Sequence, residues 1–216
     1  MLYECSSCGH QISLTAGTIM HKTKLPLLVW FWAIYLVAHD KRGRSALSLA
    51  QVFSLNYRTA WRLLHKIRCA MQQRDAHYPL AGLVEMDDTY VGAPKSGTDG
   101  RGTPKQAVAV ALQTDSKGNP RFVRMKVIQR VTIAEIHRVA REVIAAGSTI
   151  ISDGHSSYKR LTELGYQHVS QDFKRADPDV FLKWLHVVIG NAKAFIEGTY
   201  HGLSTRHLQA YLDEFC

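Results

Sequence analysis

The segment Val84-Glu85-Met86-Asp87-Asp88-Thr89-Tyr90-Val91 constrains this chain more than any other part of it. Its β-branched and aromatic residues read as a strand over 83–91, yet three of them are acids. Acids are depleted from strands, and a carboxylate taken out of water without a partner is costly. Side chains alternate along a strand, so Glu85 and Asp87 share one face and Met86 and Asp88 the other. Asp87, in mid-strand, needs a partner, an ion or a substrate to justify its place. A second acid ends another apolar run, Ile150-Ile151-Ser152-Asp153-Gly154-His155.

The elements between and around these acids predict how they meet. After the strand at 83–91 comes a glycine-rich loop over 92–105 that carries Lys95, Arg101 and Lys105. A second strand covers 107–112. The turn Asp115-Ser-Lys-Gly-Asn-Pro120 leads to a third strand at 122–131. An amphipathic helix over 132–146 begins at Thr132 and stops at Gly147. A fourth strand at 149–152, a helical stretch at 156–164 and a short strand at 167–170 follow. Asp177-Pro178 opens a long helix to about residue 195. The order is βββαβαβα. Short turns make the first three strands an antiparallel meander, and the helical crossover lays the fourth strand parallel to the first. This is the order of a ribonuclease-H-like α/β fold. Asp87 and Asp153 then share a cleft near the carboxyl ends of neighbouring strands, where ligands gather in open α/β sheets.

Oxygen ligands of this kind suit Mg²⁺ or Mn²⁺. Two such ions can clamp the attacking and leaving oxygens of a phosphodiester displacement. A third ligand is expected from the last helix. Lys183, His186, Gly190 and Lys193 form its polar stripe. Leu182, Leu185, Val188 and Ile189 form the side toward the sheet. His186 is one candidate; Glu197 and Asn191 are the alternatives.

The N-terminal part has a different character. The chain carries a formal net charge of +9 over 216 residues. Residues 1–80 hold 10 Lys and Arg against Glu4, Asp40 and Asp75, a net of +7, whereas 81–216 hold 17 against 15, a net of +2. A basic head on a nearly neutral body fits nucleic-acid binding. Residues 25–39 read as a buried apolar helix; the apolar run at 27–38 is too short for a membrane span of about 20 residues. A basic turn ends at Arg44. Ser45 caps a helix to about Phe53, and a turn at 54–56 leads to a second helix over 57–71. This is a helix-turn-helix pattern, with Leu47, Ala50, Leu55, Ala60, Leu63 and Leu64 between the helices. Arg44, Arg58, Thr59, Arg62 and Lys66 are placed to meet DNA phosphates or the acceptor edge of guanine. Residues 72–82 read as a linker.

Cys5 and Cys8 form one CxxC; Cys69 and Cys216 are isolated. That is no disulfide framework, and no secretory signal precedes it, so the cytoplasm is the expected compartment. Cys5-Ser-Ser-Cys8-Gly9-His10 has the turn chemistry of a zinc knuckle. Structural zinc takes four ligands, usually as two such pairs. Cys5 and Cys8 are therefore half a site, and His10 and His21 have no obvious spacing to complete it.

Several segments resemble bacterial insertion-sequence transposases of the ISXO type, of the DDE class. These are Asp87-Asp88-Thr89-Tyr90-Val91-Gly92, Ser152-Asp153-Gly154-His155-Ser156-Ser157-Tyr158 and Gly198-Thr199-Tyr200-His201-Gly202. Cys8-Gly9-His10-Gln11 with 17–26 resembles the end of that family's zinc ribbon, and Ala60-Trp61 with 64–68 its helix-turn-helix. The resemblance implies a metal-dependent transposase that cleaves DNA ends and transfers strands. Asp87 would be the first carboxylate and Asp153 the second. The third position, often Glu or Asn in the family, falls on His186. A lysine seven residues later falls on Lys193, placed to hold phosphate or offset developing charge. Asp88 stands where the family usually has Glu.

Mg²⁺ or Mn²⁺ is the expected cofactor, with Zn²⁺ in a full-length ribbon. The partners implied are terminal inverted repeats, target DNA and further copies of the chain. The first CxxC of the ribbon is missing, which suggests that Met1 is an internal start, and the family continues in basic sequence beyond Phe215-Cys216. The expected organisation is a partial zinc ribbon over 1–20, a helix-turn-helix region over 21–75 and a C-terminally truncated core over 80–216. Two alternatives stand beside this reading: an inactive remnant that only binds DNA, and another ribonuclease-H-like nuclease that cuts without joining. A zinc-ribbon regulator of transcription fits less well, since it has no use for embedded carboxylates.

Overall fold

The computed structural model describes residues 2–92, 105–171, 182–200 and 203–216. The chain divides into two compact units, Met1–Ala70 and Met71–Cys216. Lys95, Arg101, Asp177-Pro178 and His201-Gly202 lie outside the described residues. No helix among the described residues is long and apolar enough to cross a membrane.

The first unit opens with a hairpin of β1 (Leu2–Glu4) and β2 (Gln11–Ser13). α1 (Leu27–His39), α2 (Ala46–Val52) and the start of α3 (Tyr57–Ala76) follow. The Ser45 hydroxyl accepts the Ser48 amide and caps α2, and the Asn56 side chain accepts the Arg58 amide at the start of α3 at 2.9 Å. Ala50, Ala60, Leu63, Leu64 and Ile67 are buried. Two expectations fail here. Leu47 was placed between the helices, but α2 turns it outward at 58% exposed. The apolar α1 was read as buried, yet only the stripe Trp30, Ala33 and Val37 is covered, while Leu28, Phe31, Trp32 and Tyr35 are exposed. A helix that is apolar all round gives no sequence signal for which stripe is covered.

The second unit is a five-stranded mixed sheet in the order β5-β4-β3-β6-β7. β3 (Leu83–Val91), β4 (Gln106–Thr114) and β5 (Pro120–Val127) are antiparallel. β6 (Thr149–Asp153) lies parallel to β3, and β7 (Gln167–Gln171) parallel to β6. α4 (Ile133–Val143) is the crossover, its first turn capped by Thr132, whose hydroxyl accepts the Glu135 amide. α5 (Lys183–Thr199) and α6 (Leu208–Phe215) complete the unit.

Both faces of this sheet are covered. Val84, Met86, Ala107, Ala109, Ala111 and Ile150 pack with α4 and Tyr158 in one core. Val108, Val110, Leu112 and Met125 pack with α5 and α6 in the other. β4 therefore reads as a continuous apolar run. Its alanines face α4 and its larger residues face α5.

Several boundaries differ from the sequence reading. α4 ends at Val143 rather than near 146, because Ile144 turns extended and bridges Leu80. α3 runs on to Ala76 through the expected linker, because Arg124 of β5 fastens its end. The Arg124 guanidinium lies 3.1 Å from Asp75 Oδ2 and donates to the carbonyl oxygens of Asp75 and Tyr78 at 3.3 and 3.0 Å. β5 stops at Val127 rather than near 131, and the chain turns there toward the Thr132 cap. The helical stretch at 156–164 is two 3-10 turns, Ser156–Tyr158 and Leu161–Leu164, parted by Arg160 at φ 66°. α5 starts at Lys183, after Leu182 in the left-handed region at φ 49°, and the expected opening at Asp177-Pro178 lies outside the described residues.

Candidate active site

The parallel pairing of β3 with β6 brings the two aspartates together. Glu85 pairs with Ile151 and Met86 with Ser152; Asp87 and Asp153 are the next residues on the two strands. Register partners in a parallel pair share a face, so Asp87 and Asp153 lie side by side. Their face is the α5 face, where Ile151 packs. Asp88 points to the other side, and the hydroxyl of the buried Tyr158 donates to its Oδ1 at 3.4 Å.

Backbone amides orient both carboxylates. The Asp88 amide donates to Asp87 Oδ1 at 2.8 Å. The His155 amide donates to Asp153 Oδ1 at 3.1 Å as the chain leaves β6. Each aspartate thus has one oxygen fixed by its own local backbone. Ser152 and Ser170 hydroxyls donate to the Asp153 carbonyl at 3.0 and 3.4 Å, and this further fixes the end of β6.

α5 crosses this face with Leu182, Leu185 and Ile189 buried and Lys183, His186 and Gly190 exposed, as the polar stripe predicted; Val188 is only partly covered. His186 Nδ1 lies 4.0 Å from Asp87 Oδ2, with the imidazole side chain 48% exposed. Of the three candidates for the third position, His186 is the one brought to Asp87. Asn191 and Glu197 are exposed further along the helix, and Lys193 is half-buried two turns after His186. Among the described residues no group of three or more His, Cys, Asp and Glu is placed to hold a metal ion. The donors present are two carboxylates with an imidazole beside one of them. Such a set fits a hard divalent ion, because Mg²⁺ keeps several waters and takes only one or two carboxylates plus substrate phosphate oxygens.

Glu85 belongs to this face too, and the sequence reading gave it no role. Its carboxyl is pushed above the usual range by burial, which the nearby Leu185 backbone only partly offsets, and its Oε2 is buried with no hydrogen-bond partner among the described residues. Strand alternation gave the face but not the neighbour, since Leu185 lies on a distant helix.

A family profile described as the ISXO2-like transposase domain matches residues 79–216, the whole sheet with α4, α5 and α6. The chain belongs to this family. It is an insertion-sequence transposase of the DDE class, and the resemblance read from its motifs holds over that span. A comparison with curated proteins gave no match. Membership of this transposase family brings DNA in as the partner.

The remaining candidates lie in the first unit, outside the matched span. Arg58 and Arg62 are exposed on the first turns of α3, and Thr59 is half-buried. Arg44 pairs with Asp40 at 3.1 Å. Lys66 is engaged within its own unit: its Nζ donates to the Ile19 carbonyl at 2.9 Å and sits 5.7 Å from the Trp30 ring centroid. Cys5 and Cys8 are exposed at the tip of the β1–β2 hairpin, which is closed by Cys5 N to His10 O and Gly9 N to Cys5 O, both 2.9 Å. Hydrogen bonds from the Ser7 and Cys8 backbone, the Ser7 one the larger, bring the Cys5 thiol below its ordinary pKa.

Proposed function

We propose that this transposase cleaves DNA at the ends of its element and joins the freed 3′-hydroxyl to target DNA. Asp87 and Asp153 would hold the divalent ions on a ribonuclease-H-like core. The observation that carries this reading is the placement of those aspartates, consecutive to register partners on neighbouring parallel strands and sharing the α5 face. Mg²⁺ or Mn²⁺, when bound, supplies Lewis-acid activation of the attacking oxygen and neutralises charge on the leaving one. The protein groups do the rest. The Asp88 and His155 amides hold one oxygen of each carboxylate and so orient the pair. His186 reaches both Asp87 and solvent, so its Nδ1 can complete the ion's ligands or hold a proton beside the reacting oxygen. Lys193 serves the phosphate further along α5.

The domain assignment belongs to the same reading. α2 and α3 act as a helix-turn-helix, with Arg58 and Arg62 as the principal DNA contacts, Thr59 and Arg44 as lesser ones and Lys66 holding the unit together. The Cys5–Cys8 hairpin serves as one half of a zinc ribbon, and two or more copies assemble on paired ends. Incubation of the full chain with cognate ends and Mn²⁺ should give nicked ends and joined products, both lost by at least about a hundredfold in Asp87→Asn. Equal activity in wild type and this variant would remove the assignment. A second reading, DNA binding without chemistry, draws on the lack of a third converging acid among the described residues. It predicts end binding with no product under any divalent ion.

A further inference from the structure

α1 carries two apolar stripes, and only one of them is covered. The covered stripe is Trp30, Ala33 and Val37. It is anchored where Trp30 Nε1 donates to Thr23 Oγ1 at 2.9 Å. The other stripe is Leu28, Phe31, Trp32 and Tyr35, at i, i+3, i+4 and i+7, so the four share one side of the helix. They are 51–67% exposed, and Leu27 beside them is 39% exposed. Their side chains frame a hollow of about 420 Å³. The rings brace one another. Trp32 meets Tyr35 edge-on at 5.8 Å between centroids, and Tyr35 stacks on His39 at 5.3 Å. A braced aromatic surface loses little side-chain freedom when it is covered.

Charge and area select what covers this stripe. Residues 27–38 contain no Lys, Arg, Asp or Glu, so the stripe has no cation to grip a DNA phosphate. It has none to repel a copy of itself either. That matters because residues 1–80 carry a net charge of +7, and a two-fold contact sets each patch against the same patch of the other copy. A fully covered Phe, Tyr or Trp buries about 150–250 Å², so at this exposure the three rings and two leucines offer about 500–600 Å² per copy. Two copies then bury about 1,100 Å², enough for a specific interface, which needs about 1,000 Å². We propose that the exposed stripe of α1 is a two-fold contact between copies of this chain. The inference rests on the reading in which two or more copies assemble on paired ends, and it names the surface that joins them. The contact needs neither DNA nor metal.

The test is sedimentation velocity on the full chain, without DNA or metal. Wild type should sediment as a dimer at about 50 µM, within reach of an interface of this size. Phe31 lies at the middle of the stripe, so a two-fold axis brings it close to its own copy. Full-length Phe31→Glu and Phe31→Lys should each be monomeric, with association weakened about a hundredfold or more. An equal mixture of the two should regain the dimer, because opposite charges then face each other. Trp32→Glu and Trp32→Lys give the same pair if circular dichroism shows that a Phe31 variant does not fold. Leu47→Glu, exposed on α2, should stay dimeric. A monomeric wild type would overturn the proposal, as would a dimer that survives the glutamate. So would a mixture that stays monomeric, because the stripe would then meet something other than a copy. A Leu47→Glu chain that dissociates as readily would show general apolar stickiness and overturn it too. Wild type that dimerises but cleaves no DNA would count against the proposed chemistry alone.

Discussion

Single residues in this chain are set by what faces them across the sheet more than by their neighbours in sequence. Asp213 of α6 shows this away from the active site. Its Oδ1 accepts from Gln209 Nε2 at 2.9 Å, while its Oδ2 is buried with no hydrogen-bond partner among the described residues. It lines a cavity of about 250 Å³ with Asp75, Arg124, Lys126 and Glu142. Burial raises its pKa to about 6, against the pull of Gln209, Lys126 and Arg124, and Asp75 adds to the rise. A raised carboxyl pKa means that the fold prefers the protonated form. The associated stability is fully present below pH 3.8, the ordinary value, and is lost as pH rises through about 6. Asp213→Asn removes the titration. It should therefore match wild type in urea denaturation near pH 4 and exceed it near pH 7. The gain should be about 1–2 kcal/mol, after a discount for solvent screening in the cavity. A constant difference across that range would show that Asp213 does not titrate as described. The same cross-sheet logic explains what was legible at the active site. Asp87 stood out because a mid-strand acid has no cheap local explanation, whereas Glu85 looked the same until the start of α5 lay beside it.

At the scale of elements, local signals read well where the element carries its own instructions. The Thr132 cap set the start of α4, although the helix ends at Val143, short of the expected Gly147 stop, and β3 and β6 came out nearly residue for residue. Thr132→Ala deletes the acceptor for the Glu135 amide at 3.3 Å. It should lower the stability of the second unit by about 1 kcal/mol, seen as a shift in urea midpoint with unchanged slope. No shift would mean that the cap hydrogen bond contributes nothing at this site. Where the sequence reading failed, a distant partner had decided the boundary. Arg124 draws the end of α3 onto β5 across 49 residues, and nothing in 72–76 announces that. Leu182 turns left-handed because the α5 core holds its side chain, which no helix-start rule anticipates. Short 3-10 turns in place of a helix at 156–164 follow from Arg160 at φ 66°, another conformation set by context.

For the whole molecule, the charge asymmetry separates two tasks. The basic excess sits in residues 1–80, on α3 and in the segments before α2, and the nearly neutral remainder carries the acids of the site. DNA affinity in the proposed reading is therefore mostly electrostatic and resides in the first unit. Each phosphate neutralised adds about 0.9 to the slope of log affinity against log salt. Arg58 and Arg62 are exposed on the first turns of α3, so a full-length Arg58→Ala, Arg62→Ala double variant should lose close to two units of that slope and about tenfold or more in affinity at low salt. Lys66 separates this from a simple loss of positive charge. Its ammonium holds the Ile19 carbonyl and lies near Trp30, so Lys66→Ala should lower thermal stability while leaving the salt slope close to wild type. Fluorescence anisotropy on terminal-repeat DNA from 50 to 300 mM salt, roughly the range over which such contacts dominate, reads both variants. If Lys66→Ala lowers the slope as much as either arginine does, Lys66 contacts phosphate itself and the division of roles on α3 must be redrawn.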